Sequence, residues 1–402
     1  MTRDAPDVGQ RDLSAAWWGT VVLFLVHGLV VSTWISRIPA IKSALGLNDA
    51  VLGLTLLSMA IGAVCTIPFA GWLIGRFGSK RISIGASTAF CCALSLPALA
   101  FNAFSLALAL LIFGATAAAM DVSMNAHGVE VEKGLGTPTM SRFHGMFSLG
   151  GMVGAGIGGL IARQQIGPLP PFGISAAIFL AAVLLVSGLL LNTHEHGETG
   201  AHHLPFSKIP RVLFALSAIG FCILLAEGAM ADWTALYLKQ ILNADPGTAA
   251  AGYAVFSAAM AIFRFLGDII TARLGPMRTV GGGSLFAAVG LVWALCAHVP
   301  GWALPGFAAA GAGFSVIIPL VFGSGGRVES VNPGAGIATV TGIGYLGFIV
   351  GPPTIGFASQ LFTLRYALGV VVACCLITAL LSGYMRALKP IAGREPAAEL
   401  HL

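Results

Sequence analysis

A few ionisable side chains lie inside long apolar runs, and they define the chemistry open to this chain. Asp121, Glu227, Arg264 and Asp268 are the charged residues deep in such runs, and His27 lies in another. An ionised group at mid-bilayer depth costs at least about 3 kcal/mol, so each is a functional candidate. A desolvated carboxylate holds a proton more readily than one in water, and alternating exposure to two aqueous sides changes its hydration. Asp121 and Glu227 are therefore the proton-coupling candidates. His27 lies about 12 residues into its run, roughly 18 Å deep at 1.5 Å per residue. Asn125 follows Asp121 by one turn on the same helix face. With His27, Trp34 and Gln360 it is expected to line a substrate cavity. Arg264 and Asp268, one turn apart, are expected to pair at an inner gate. Arg142 and His144 are placed to neutralise Glu130 or Glu132 in that gate. Asp232 and Trp233 fall near a run's outer end, where an aromatic belt or loop cap explains them as well as a gate does. Structural hydrogen bonding is the alternative for each carboxylate, and bonding to a neighbouring carbonyl for His27.

The elements that position these residues follow from composition. Of 402 residues 57% are apolar and 9% charged, with mean hydropathy +0.89. Soluble domains carry about 25% charged residues, which excludes a soluble enzyme, a nucleic-acid-binding domain and a disordered scaffold. A spanning helix needs about 20 mostly apolar residues. Twelve runs qualify: 15–36, 50–73, 82–101, 103–126, 141–162, 172–191, 211–236, 247–271, 278–298, 302–324, 333–358 and 364–386. The first resembles a signal peptide in isolation, but eleven more follow it. With the N terminus inside, fifteen Lys and Arg fall on the cytoplasmic side, five outside and one, Arg264, within a run. That asymmetry places both termini in the cytoplasm. The seven cysteines lie in apolar runs without CxxC spacing and read as small apolar helix residues.

The chain repeats itself. A shift of 197 residues lays Gly114, Gly128, Glu132, Gly145, Gly150, Gly154 and Gly159 on Gly311, Gly325, Glu329, Gly342, Gly347, Gly351 and Gly356, and Arg76-Phe77-Gly78 on Arg273-Leu274-Gly275. A shift of 199 pairs Trp34 with Trp233, and one of 200 pairs His27 with Glu227. The repeat of Asp121 is Ile318, so that acid breaks the symmetry. The expected units are a six-helix bundle over 1–191, a cytoplasmic linker over 192–210 and a second bundle over 211–402. His194, His196, His202 and His203 in the linker read as part of a solvated tether, with metal binding the alternative. Two parallel six-helix repeats are the architecture of a major facilitator transporter, whose site lies near the midplane between them.

Local motifs carry a resemblance to that superfamily. Gly71-Trp72-Leu73-Ile74-Gly75-Arg76-Phe77-Gly78-Ser79-Lys80-Arg81 resembles its signature between helices 2 and 3, where Gly71, Gly75, Arg76, Gly78 and Arg81 would serve gating. Gly75 replaces the family's usual Asp, and Ala272 holds the matching place in the second half. Gly150, Gly154, Gly158 and Gly159 resemble the glycine signature of drug/proton antiporters, with Gly347, Gly351 and Pro352 a partial copy, and these are expected to pack helices. SRIPAIKSALGL, MDVSMNAHG, FHGMFSLGG and EGAMADW most resemble the YbjJ-type branch near the fucose-permease-like proton symporters. The resemblance implies the major facilitator fold and places helices 1, 4 and 7 around a central cavity. It also matches Asp121 and Asn125 to the acid-xxx-Asn element of helix 4.

The leading expectation is thus an all-α membrane protein moving a small solute across the inner membrane by proton-coupled alternating access. Its partners would be that solute and the lipid bilayer, with no nucleic acid, no cofactor or metal, and a monomeric state. Eleven Asn and Gln in the whole chain argue against a plain sugar permease. The alternative is a drug/proton antiporter, favoured by the helix 5 glycines. A more remote one is a non-transporting sensor, which would want a larger soluble part. No HExxH, GxSxG or phosphate loop supports an enzyme.

Overall fold

Helix starts in this chain coincide with side chains able to cap them. Asn48, Asn102, Asp245 and Asn332 each accept backbone N–H groups of the first turn that follows, satisfying donors that a helix leaves unpaired at its start. The computed structural model describes residues 10–137, 139–192, 209–329 and 331–387, and among these every regular element is helical. Twelve helical stretches are long and apolar enough to cross a membrane. The first six of these stretches are built on α1 (Gln10–Ile35), α2 (Asp49–Phe77), α3 (Ser79–Ala93), α4 (Ala103–Leu135), α5 (Met140–Arg163) and α6 (Leu169–Val186). After the linker come α7 (Arg211–Gln240), α8 (Pro246–Leu274), α9 (Pro276–Cys296), α10 (Pro300–Phe314, resumed at Ile317–Gly325), α11 (Pro333–Leu361) and α12 (Gly369–Leu381). Of the linker only Asn192, Ile209 and Pro210 are described. Its four histidines lie outside the described residues, as do Arg3, Lys208, Lys389 and Arg394.

Several helices outrun their apolar windows. α4 continues to Leu135, and α11 reaches Leu361, so Gln360 is inside the helix rather than beyond it. The window measures hydrocarbon thickness, whereas backbone hydrogen bonding carries a helix on into the interface. α3 is shorter than its window and ends in a 3-10 turn at Leu96–Leu99.

The repeat is visible in backbone geometry. The turns after α2 and α8 are made by Gly78 (φ 83°, ψ 155°) and Gly275 (φ 77°, ψ 157°), which the shift of 197 superimposes. That region of φ/ψ space is open almost only to glycine. Helix contacts repeat as well. A methyl on Gly150 would overlap the Leu25 carbonyl of α1, and one on Gly347 the Phe221 carbonyl of α7. Gly114 stands likewise against Met59 of α2, and Gly311 against Phe256 of α8. Two seams cross between the halves, α5 on α8 and α2 on α11, and the repeat exchanges them. Large apolar side chains such as Phe101, Leu185, Val289 and Leu380 are exposed on the perimeter, as a lipid-facing surface requires.

This packing separates two glycines of similar sequence setting. Gly150→Ala is expected to push α5 off α1 and destabilise the protein by about 1–3 kcal/mol, as overpacking does. Gly71→Ala, where an added methyl meets nothing within 4 Å, is expected to be neutral or stabilising by up to about 1 kcal/mol through helix propensity. Thermal unfolding of the purified protein in detergent separates the two, and equal effects would contradict the contact.

Candidate functional site

Between the seams α1, α2, α4, α5, α7, α8 and α11 enclose a cavity of about 290 Å³. α1 presents His27 and Trp34, α4 presents Asp121, α8 presents Tyr253, and α11 presents Tyr345. From α7 come Glu227, Gly228, Ala231 and Asp232, two i, i+4 pairs that together form a broad arc of the helix. Alanine, valine, isoleucine, methionine and phenylalanine make up most of the remaining wall.

Several polar groups in this wall lack protein partners. Both ring nitrogens of His27 are buried and unpartnered, with the ring held between Phe90 and Phe147 at centroid distances of 5.2 and 5.3 Å. The Trp34 indole N–H and Glu227 Oε1 are also buried without a hydrogen bond. Asn125 Nδ2 donates to Asp121 Oδ1 at 3.1 Å and to the Asp121 carbonyl at 2.8 Å. Asp232 faces the cavity and, among the described residues, makes neither a hydrogen bond nor an ion pair. Unsatisfied polar groups around a void are what a binding site leaves for its ligand.

The structure thus brings His27, Trp34, Asp121 and Glu227 to one cavity. Asn125 holds Asp121 from one turn away and is not itself in the wall. Gln360 is exposed at the end of α11 and does not reach the cavity. Asp232, read from sequence as close to a helix end, is in the wall, and Trp233 beside it is fully buried rather than in a belt. Tyr253 and Tyr345 carry no signal in the sequence, because nothing local marks which face of an apolar helix looks inward.

Arg264 and Asp268 do not pair. Arg264 instead donates through Nη1 to Ser148 Oγ of α5 at 2.7 Å and through Nε to the Ser315 carbonyl at 3.3 Å, where α10 breaks. Asp268 points to the exposed side of α8. The break supplies a free carbonyl, and a guanidinium with several donors suits it better than one neighbouring carboxylate. Arg142 is exposed and pairs with neither acid. Glu132 Oε2 accepts the backbone N–H groups of Thr139 and Met140 at 2.5 and 2.8 Å, at the start of α5. Glu130 Oε2 accepts from Ser79 Oγ at 2.9 Å, and Ser79 Oγ lies 3.0 Å from His127 Nδ1. This Ser79–His127–Glu130 cluster joins α3 to α4 at the linker end. His144 packs edge-on against Phe24. Of the signature residues, Gly78 makes the turn, Arg76 lies over the rings of Trp72 and Phe77, and Arg81 is exposed. Gly71 and Gly75 touch nothing at their Cβ positions.

The predicted packing glycines divide between partners. Gly150, Gly154 and Gly158 face Leu25, Ser32 and Ser36 on the α1 side, and Gly159 faces Ala250 of α8. Gly347 and Gly351 face α7, and the Pro352 carbonyl meets Gly53 of α2. At the end far from the linker both seams are tied. Arg163 Nε at the end of α5 donates to Asp245 Oδ1 at the start of α8, 3.1 Å apart. Ser359 at the end of α11 donates to Asp49 at the start of α2, which also accepts from Lys42. The Thr248 hydroxyl, helped by the Thr248 and Gly247 N–H groups and by Arg163, holds the Asp245 carboxyl down at about 2. A carboxyl depressed in the folded state contributes above its ordinary value and loses that contribution as pH falls through the depressed one. This tie therefore persists across the physiological range.

The family model of the Major Facilitator Superfamily matches residues 19–328. An uncharacterised MFS-type transporter of Yersinia pestis is 37% identical over 362 residues, covering 90% of this chain and 93% of that protein. A mutant of the nucleoside transporter NupG has a similar solved structure, with a TM-score of 0.73 at 14% identity over 92% of this chain and 99% of its own. A mutant of the E. coli fucose:proton symporter FucP gives 0.59 at 17% identity over 92% and 99%. At those identities the structural likeness is one of fold.

Arg264 and Asp268 are separable by mutation. Arg264→Ala removes charge-assisted bonds to α5 and α10 and is expected to destabilise by about 2–3 kcal/mol. Asp268→Asn, at an exposed site, is expected to stay within about 0.5 kcal/mol of wild type. Thermal unfolding in detergent checks both, and equal losses would restore the ion pair.

Proposed function

The chain belongs to the Major Facilitator Superfamily, and on that premise we propose that it couples solute movement to protons through Asp121 and Glu227. It is a multi-pass secondary transporter, not an enzyme, and its family works without a cofactor. The observation that carries the coupling is a set of carboxylates in one cavity with no lysine or arginine in its wall. Arg264 acts on Glu227 from outside the wall but not on Asp121, and a buried carboxylate short of a full counter-charge takes up a proton or a counter-ion. Asp121 and Glu227 come from opposite halves, so rocking one half against the other changes the water around both. The far-end ties and the Arg264 bonds are the contacts that such rocking would break and remake. FucP is by name a fucose:proton symporter, and proton coupling of that kind is the reading adopted here. Its sugar is not carried over, because no amide lines this cavity. The site belongs in the bacterial inner membrane, with a single chain as the working unit and both termini in the cytoplasm, on the side where most lysines and arginines fall.

Proteoliposomes enclosing a pH-sensitive dye test the coupling. A transported solute added to wild type is expected to change the internal pH. With Asp121→Asn that signal is expected to vanish while counterflow of the solute continues, and with Glu227→Gln the signal is expected to vanish as well. An undiminished pH signal in Asp121→Asn would remove that residue from the coupling site.

A further inference from the structure

The cavity wall has a charge pattern that selects among solutes. It holds three carboxylates, Asp121, Glu227 and Asp232, and neither lysine nor arginine. The Arg264 guanidinium, outside the wall and hydrogen-bonded to Ser148 and the Ser315 carbonyl, acts electrostatically on Glu227, whereas no cation acts on Asp232. Glu227 Oε1 is buried without a partner. Glu227 and Asp232 stand at the two edges of the cavity-facing arc of α7, about 140° apart around the helix and about 7.5 Å apart along its axis. Around them stand Trp34, Phe147, Tyr253, Phe256, Tyr345 and Phe348. Rings of this kind accept the apolar body of a ligand and attract a cation to their faces. Arg264 answers one of the three carboxylates, so a neutral solute would leave the others uncompensated, an anion would add to their repulsion, and a cation would answer them. Asp232 also breaks the repeat, since the shift of 199 gives it Thr33 in α1. A carboxylate needed only for the scaffold would have reason to recur there.

We propose that the transported solute is a small organic cation, an ammonium group on a compact apolar or aromatic body, and that Asp232 with Glu227 recognises its charge. This rests on the cavity being the transport site. The volume of about 290 Å³ limits the ligand to a small molecule. Asp121, already bonded to Asn125, is left to its part in the coupling.

Equilibrium binding to the purified protein in detergent tests the assignment with three probes of one skeleton: 2-phenylethylammonium, 2-phenylethanol and phenylacetate. At neutral pH the ammonium is expected to bind at least about tenfold tighter than the alcohol, and phenylacetate more weakly than either. Asp232→Asn is expected to bring the ammonium down to the level of the alcohol while leaving the alcohol unchanged. Asp232→Glu is expected to keep the preference for charge. Equal binding of ammonium and alcohol by wild type overturns the proposal, as does a preference for phenylacetate or no ammonium binding at millimolar concentration. Retention of the full preference by folded Asp232→Asn removes that residue from recognition. The assay has no gradient and no second compartment. A failure of proton coupling in liposomes therefore leaves its result standing, and the reverse holds too.

Discussion

Where α5 crosses α1, the carbonyl oxygen of Leu25 occupies the space that a side chain at Gly150 would need. Lipid tails are as apolar as leucine, so helices within a bilayer gain little from burying apolar surface against one another. They gain from close contact, and glycine makes backbone-to-backbone approach possible. The same approach recurs at Gly347 on α7, at Gly114 on α2 and at Gly311 on α8. These four contacts hold the helices that carry every cavity residue.

The scaffold they build is nearly symmetric, and its chemistry is not. Gly78 and Gly275 make the same turn in the two halves. His27 and Glu227 occupy related places on α1 and α7, yet one is an imidazole and the other a carboxylate. Asp121 corresponds to Ile318, and Asp232 to Thr33. Packing places the same demand on both halves, so it repeats. Binding one solute in a shared cavity places different demands on the two walls, so the polar residues diverge.

The contacts between halves are of two kinds. The α2–α11 seam and much of the α5–α8 seam rest on glycine and small side chains, and one guanidinium, that of Arg264, crosses the α5–α8 seam to Ser148. At the far end they are tied by polar pairs, Arg163 with Asp245 and Ser359 with Asp49. Arg163 and Asp245 are about half exposed, and an exposed pair contributes little net stability, typically about 0–1 kcal/mol. Ties of that strength suit a seam that must open in each cycle. Arg264 is different, because it bonds a helix break from inside the protein, and Ser315 offers its carbonyl only because α10 is interrupted there.

Twelve spans, their order and the repeat were legible in the chain because the bilayer imposes a length and a polarity on every crossing. The candidacy of Asp121, Glu227 and His27 was legible for the same reason: a polar group in an apolar run stands out. What an apolar run conceals is which way each residue faces, since both faces are apolar and the periodicity that marks a core in water is absent. From the chain alone Asp232 therefore reads as a helix-end residue and Arg264 as the partner of Asp268, one turn away, and the packing of α7 and α8 decides otherwise. Gln360 stands out in its run by polarity alone, and it lies outside the cavity. Sequence by itself determined the membrane architecture, through the physics of hydrocarbon. Only the tertiary structure decided which polar groups share one cavity, because that depends on how each helix is rotated against its neighbours, and glycine contacts far along the chain set those rotations.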